Sequence, residues 1–365
     1  MGAADVTKDA VMEVLKTVKD PELHKDLVSL NMIKNVAVCD GHVRIGVELT
    51  TPACPMKDQI QNDVRAAVGK LAGVTQVEID WSAAVRKSPM GQSSMPGVKN
   101  VIAIGAGKGG VGKSMLSVIT AVGLARAGAR VGLLDADVYG PSIPKMLGVE
   151  DAQPTIISPE DKRIIPIIAH DLKVMSIGFM IKPDQAVVWR GPMIHGTIKQ
   201  FLDQVDWGEL DYLIVDLPPG TGDVPLTLSQ SIPMTGAVIV CTPQDVALLD
   251  AVRAAKMYQQ LNVDVLGIVE NMSYFIAPDT GVEYDLFGKG GAQKAADKLG
   301  VPFLGSIPIN VCVRTSGDRG TPHAVFDENP QGVGAAAQAV AEALAGRISV
   351  HNESKAAPLQ MNIHR

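Results

Sequence analysis

Residues 107–114 form a run of four glycines and two lysines closing on a serine, with the spacing G-x-x-x-x-G-K-[ST]. That spacing is the signature of a loop that cradles nucleotide phosphates. Gly107, Gly109, Gly110 and Gly112 let successive backbone N–H groups face phosphate oxygens with no side chain in the way. The helix N-terminus that follows adds partial positive charge. Lys113 is placed to reach the β- and γ-phosphates, and the Ser114 hydroxyl to ligate Mg²⁺. The expected nucleotide cradle is therefore Gly107, Lys108, Gly109, Gly110, Val111, Gly112, Lys113, Ser114 and Met115, with ATP and Mg²⁺ as its ligands. Two acid-bearing segments complete a phosphoryl-transfer site. Val131–Leu134 runs into Asp135, Ala136 and Asp137, and Tyr212–Val215 runs into Asp216 and the Pro/Gly stretch 217–223. Asp137 is the candidate for positioning the attacking water, Asp135 for orienting the loop or the metal shell, and Asp216 for the Mg²⁺ shell. The stretch 217–223 fits a switch that senses the γ-phosphate.

These groups need a strand before the loop and a helix after it. Val101–Ile104 is a short apolar run of the buried-strand kind, and Leu116–Gly128 is apolar at helical spacing. Strand candidates recur near 101–105, 131–135, 172–176, 211–216, 236–241, 264–270 and 302–306. Helices fall between several of them, including 245–261 and 290–299. The alternation predicts an α/β fold with a mostly parallel, doubly wound sheet, in which carboxylates at strand ends border the ligand crevice. Residues 333–345 are Ala-rich and predict a final core-packing helix; 347–365 read as a loose polar tail.

A chain of 365 residues suits two domains. Residues 1–82 carry the pattern αββαβ: a stripe of Val11, Val14, Leu15 and Val18, strands at 33–39 and 42–50, a helix over 56–72 and a strand at 75–81. That pattern is a small α+β domain. The segment 83–99 lacks periodicity and reads as a flexible linker, leaving 100–346 as the ATPase domain.

Net charge is −6, so no basic field recruits nucleic acid, and 4% aromatics leave few stacking platforms. No apolar run approaches the roughly 20 residues of a membrane span, and the N-terminus lacks the order of a signal peptide. Val6 stands where myristoylation wants Ser or Thr. The protein is expected to be cytoplasmic, with neither membrane nor nucleic acid as partner. Cys39, Cys54, Cys241 and Cys312 form no C-x-x-C pair. Cys39 and Cys241 read as structural strand residues. Cys54 sits on a turn before a helix, where thiolate is favoured, and Cys312 reads as a loop residue.

The loop with its second lysine, Lys108, resembles the deviant phosphate loop of ATPases related to MinD, ParA and the nitrogenase iron protein. Further runs narrow the resemblance to the Mrp/ApbC family of iron–sulfur cluster carrier ATPases over nearly the whole length. They are Asp135–Ser142, Trp189–Met193, Asp216–Asp223, Thr242–Gln244 and Glu270–Ser273. The N-terminal unit, with Asp20–Glu22 and Leu49–Pro55, is similar to the cluster-assembly domain often fused to such ATPases. The resemblance implies a homodimer with ATP sandwiched between subunits and Lys108 acting across the interface. It implies adenine contacts from Asn271 and the loop after Pro308, and a [4Fe–4S] cluster bridged between subunits and passed to apo-proteins.

The chain departs from that family at 277–280. Ala277, Pro278, Asp279 and Thr280 stand where Cys-Pro-x-Cys is usual. One hard carboxylate does not replace two soft thiolates. Cys54 and Cys312 remain as substitutes, and Cys54 is the candidate Fe–S ligand. Two functions stay open: a cluster carrier holding cargo through Cys54, and a nucleotide-dependent dimeric switch or adaptor without a cluster. A partitioning ATPase would need a basic surface or membrane helix that the sequence does not supply.

Overall fold

The computed structural model describes residues 6–89, 95–157, 163–180 and 191–356. They divide into two compact units, Met1–Arg86 with Ala345–Arg365, and Lys87–Leu344.

In the first unit the order is α1 (Lys8–Leu15), β1 (Ile33–Cys39), β2 (His42–Leu49), α2 (Lys57–Val68) and β3 (Gln76–Ala83). Thr7 caps α1 by accepting from the Ala10 N–H. β2 alternates, so Val43, Ile45, Val47 and Leu49 share the buried face. On that face lie Val11 and Leu15 of α1 and Ile60, Val64 and Val68 of α2, each set repeating at one helical turn. β1 pairs antiparallel with β2 through a tight turn, whereas β2 and β3 run parallel and are joined by α2 as the crossover.

The second unit begins with β4 (Val98–Gly105), α3 (Lys113–Arg126), β5 (Val131–Asp135) and the short α4 (Ile143–Met146). The small strands β6 (Thr155–Ile156), β7 (Ile164–Ile165) and β8 (Ile167–Ala169) lead to β9 (Leu172–Ser176). Next come α5 (Gly191–Gln204), β10 (Leu210–Asp216), α6 (Asp223–Ser231), β11 (Gly236–Cys241) and α7 (Asp245–Gln260). The chain continues through β12 (Val265–Ile276), β13 (Glu283–Tyr284), α8 (Gly291–Leu299), β14 (Phe303–Ile309), α9 (Val311–Arg319), α10 (Ala324–Asp327) and α11 (Val333–Ala356). Across the sheet the order is β13-β12-β11-β4-β10-β5-β9-β8, with β14 also on β12. All these pairings are parallel except β8 with β9 and β13 with β12. Central strands are buried on both faces, which is why they read as unbroken apolar runs. The expected α/β fold with a largely parallel doubly wound sheet and a small N-terminal unit is the one observed.

Two boundaries differ from the sequence reading. The loose tail expected from 347 is helical as far as Ala356. Ile348 is buried, Lys25 bonds Glu353 at 3.2 Å, and Arg86 pairs with the same carboxylate. These tertiary partners hold a polar stretch that carries no helix signal by itself. The ends of the expected linker are also ordered. β3 reaches Ala83, β4 starts at Val98, Val85 and Met95 are buried, and the Ser88 N–H donates to the Lys99 carbonyl at 2.9 Å. Trp189 and Arg190 lie outside the described residues. Among the described residues no helix is long and apolar enough to cross a membrane.

Candidate functional site

β4 lies between β11 and β10, and its end opens into the glycine loop. Two glycines there are obligatory. A Cβ on Gly107 would stand 2.1 Å from the Asp250 carbonyl oxygen of α7. Gly112, at φ +82°, is left-handed, and a Cβ there would meet the Asn271 amide nitrogen at 2.2 Å. That left-handed residue is the N-cap of α3, so the helix begins at Lys113 with its N–H groups turned toward the loop. Gly109 and Gly110 are exposed, and Lys108 is half-buried.

Register gathers the acids. β10 pairs with β5 so that Asp216 faces Asp135, and with β4 so that Asp216 faces Ile104. Both carboxylates are fully buried, and Asp137 is 8% exposed. Lys113, itself 6% exposed, places Nζ 2.7 Å from Asp216 Oδ2 and 3.4 Å from Asp137 Oδ2. The Ser114 hydroxyl donates to Asp216 Oδ2 at 2.6 Å. Burial and the neighbouring Asp216 push the Asp135 carboxyl up to about 8, against the opposing pull of the Ser176 hydroxyl, the Asp137 N–H and Lys113. With Asp135 raised, Asp137 and Asp216 still set two carboxyl groups against the single Lys113 ammonium, and a hydroxyl next to a carboxylate is the hard-oxygen pair that suits Mg²⁺.

Asp135 holds the loop that carries Asp137. Its Oδ1 accepts from the Asp137 N–H at 3.1 Å, and its Oδ2 from the Ile143 N–H at 3.3 Å and the Ser176 hydroxyl at 2.9 Å. Sequence reasoning missed Ser176, which ends β9 in register with Asp135. It also missed Ser117, whose buried oxygen lies 2.7 Å from Asp216 Oδ1 and 3.1 Å from the Lys113 carbonyl. The available signal was spacing, since Ser117 follows Ser114 by one helical turn and faces the same strand end.

The remaining expected residues have different surroundings. Asn271 donates its amide to the Val111 carbonyl at 2.8 Å, tying β12 to the phosphate loop. Pro308 is buried near the end of β14. The Met115 side chain packs on Gly317 of α9. Residues 277–280 form the turn between β12 and β13, closed by the Ala277 N–H to the Val282 carbonyl at 2.9 Å. Asp279 is exposed on that turn.

The cysteines stay apart, and none of the four is in a disulfide. Cys39 is exposed on β1 and Cys241 is buried at the end of β11, where burial and Glu270 push its thiol up to about 12. Cys54 is half-buried against the core of the first unit, two residues before Met56, the N-cap of α2. Cys312 is not a loop residue: it lies in the first turn of α9. Its thiol is pushed up by burial and by Glu328, against the opposing pull of Arg319. Among the described residues no three His, Cys, Asp or Glu side chains gather as a metal-holding group.

A strand, a glycine loop with two lysines, a helix N-terminus and paired strand-end carboxylates define a P-loop nucleotide-binding protein of the NTPase class. Residues 97–345 match the ParA family model, described as NUBPL iron-transfer P-loop NTPase, and residues 8–80 match the iron–sulfur cluster assembly protein model. The chain belongs to the NUBPL iron-transfer P-loop NTPase family. It is 53% identical over 350 residues to the "Iron-sulfur cluster carrier protein" of Synechocystis sp., covering 94% of this chain and 99% of that protein. The protein of that name from Deinococcus radiodurans is 53% identical over 348 residues, covering 95% and 97%. Among solved structures, a nucleotide-binding protein from Archaeoglobus fulgidus in complex with ADP aligns with a TM-score of 0.57 at 42% identity, covering 63% of this chain and 90% of that one.

Proposed function

We propose that this protein is a cytoplasmic, homodimeric ATPase that carries iron–sulfur clusters to apo-proteins. The observation that supports this most is the buried cluster of Lys113, Ser114, Asp137 and Asp216 at the phosphate loop, in a chain whose full-length relatives bear the name of cluster carriers. The backbone N–H groups of residues 107–115 bind the phosphates. Lys113 exchanges its carboxylate partners for the β- and γ-phosphate oxygens, so its charge is delivered to the nucleotide without leaving the crevice. Ser114 and Asp216 hold Mg²⁺, which neutralises charge on the phosphate oxygens when bound. Asp137 aligns the attacking water, and Asp135, braced by Ser176, keeps the Asp137 loop in place. Lys108 acts across the dimer interface on the partner's nucleotide. Asn271 and the segment after Pro308 flank the adenine, Asn271 first releasing the Val111 carbonyl.

The cargo, a [4Fe–4S] cluster, takes a thiolate from Cys54, which lies just before the N-terminus of α2. Hydrolysis, read by the stretch 217–223, changes the dimer and so the access to cargo.

A second reading, a nucleotide switch without cargo, is favoured by one observation: the turn 277–280 offers an exposed carboxylate and no thiol. Anaerobic reconstitution with iron and sulfide separates the two, comparing the natural chain with Cys54→Ala by visible absorbance and iron content. Carriage predicts stoichiometric cluster that is lost in Cys54→Ala. Absence of cluster in both, with ATP hydrolysis intact, leaves the switch.

A further inference from the structure

Between α7 and α8 lies an open groove of about 640 Å³ that the nucleotide chemistry does not use. Its floor is apolar: Leu248, Leu249 and Val252 come from α7, and Phe287 from the loop before α8. Leu249 is 62% and Phe287 43% exposed, although the water-facing side of a surface helix is normally polar. The rim is basic, with Lys289, Lys294 and Lys298 against a single acid, Asp245. Lys289 pairs with Glu283 and lies 4.6 Å from the Tyr274 ring centre. Lys294 and Lys298 are exposed and form no ion pair among the described residues.

Both walls are tied to the phosphate loop. On the α7 side, the Asp250 carbonyl packs so closely on Gly107 that no side chain fits between them. On the α8 side, the buried Glu270 accepts from the Gly290 N–H at 2.9 Å and the Ala292 N–H at 2.8 Å, holding the helix start. The next residue, Asn271, bonds the Val111 carbonyl of the same loop.

We propose that this groove docks an acidic, amphipathic helical segment of a partner protein, and that α7 and α8 couple its occupancy to the nucleotide. An open apolar floor between two helices with a mostly basic rim suits the helix-in-groove mode of recognition. A second copy of this chain fits less well, since a symmetric contact sets the lysine rim against itself. That the partner is a recipient apo-protein rests on the carrier reading; the docking does not.

The probe is a fluorescein-labelled synthetic helix with leucines at i, i+3, i+4 and i+7 and glutamates elsewhere, beside its lysine counterpart. Each is titrated by anisotropy against the full chain. The acidic helix is expected to bind and the basic one not. Lys294→Glu with Lys298→Glu should weaken binding about tenfold, as should Leu249→Asp, whereas Lys70→Glu on the other unit leaves it unchanged. Saturating ADP should shift probe affinity by about fivefold or more, and the probe should shift ADP affinity by the same factor. Equal binding of the two helices, or indifference to the lysine reversals, overturns the docking site. A coupling factor of one overturns the link to the loop. If the double lysine variant instead loses self-association by light scattering, the groove belongs to a second copy. None of these readouts involves iron, so they fail or succeed independently of cluster carriage.

Discussion

Around Lys113, three carboxylates and two hydroxyls gather from two strand ends, a loop and one helix, each in reach of another and nearly all buried. The four thiols of the same chain stand on β1, on the turn before α2, on β11 and on α9, each without another thiol beside it. The acids and hydroxyls around the phosphate loop are thus gathered within one subunit. Parallel register fixes its acids before any ligand arrives, and preorganised charge is what phosphoryl transfer requires. A cluster asks for several soft ligands at once, and within one subunit the described residues do not assemble them. The fold of one subunit therefore builds the carboxylate cluster, and among the described residues it builds no comparable group of thiols.

The contrast is sharpest at Lys113. Lys113→Ala should cut phosphate release by more than about a hundredfold. It should also destabilise the fold by about 3 kcal/mol, because Asp216 and Asp137 lose their buried cation. Calorimetry and a phosphate-release assay read both, and activity within tenfold of the natural chain would reduce the lysine to a structural counter-ion. Asp137→Asn should slow turnover by about a hundredfold. ADP affinity should be kept, separating water alignment from binding. Ser117→Ala should raise the Mg²⁺ concentration for half-maximal turnover by about tenfold, as loss of a residue that orients a metal ligand does. Ser117→Thr should restore it; an unchanged Mg²⁺ profile would show that Asp216 needs no brace.

The smallest effect tests the thiol side. Because burial and Glu328 raise the Cys312 thiol, its thiolate fraction at pH 8 lies below that of a free cysteine. Iodoacetamide should therefore label exposed Cys39 first, Cys312 slowly and Cys241 least, as followed by mass spectrometry. Glu328→Gln should speed Cys312 a few-fold by removing the nearby carboxylate. Labelling of Cys312 as fast as Cys39 would make α9 a better place for iron than its surroundings indicate.

The phosphate loop, the helix behind it and the strand-end acids Asp135 and Asp216 were legible in the sequence because each rests on local order: glycine spacing, helical periodicity, and an acid closing an apolar run. The sheet's parallel character followed from strand–helix alternation. Ser176 was not legible as a brace, since a serine has no pattern until the strand opposite it is known, and Ser117 carried only its one-turn spacing from Ser114. The bond from the Asn271 amide to the Val111 carbonyl was not legible either, since the two residues lie 160 positions apart. Residues 347–356 depart from expectation because a polar segment takes its helix from partners far along the chain, whereas at Cys312 the local cap Asn310, which accepts from the Cys312 N–H, already marks a helix start.

By itself the sequence determined which chemistry this protein can bring to a phosphate, because those residues lie within single elements whose conformation is set by nearest neighbours. Tertiary structure alone decided that Asp135 faces Asp216, that two serines brace them, and that an apolar, lysine-rimmed groove is tied to the loop. Each depends on the register of segments tens of residues apart, which is fixed only when the core packs.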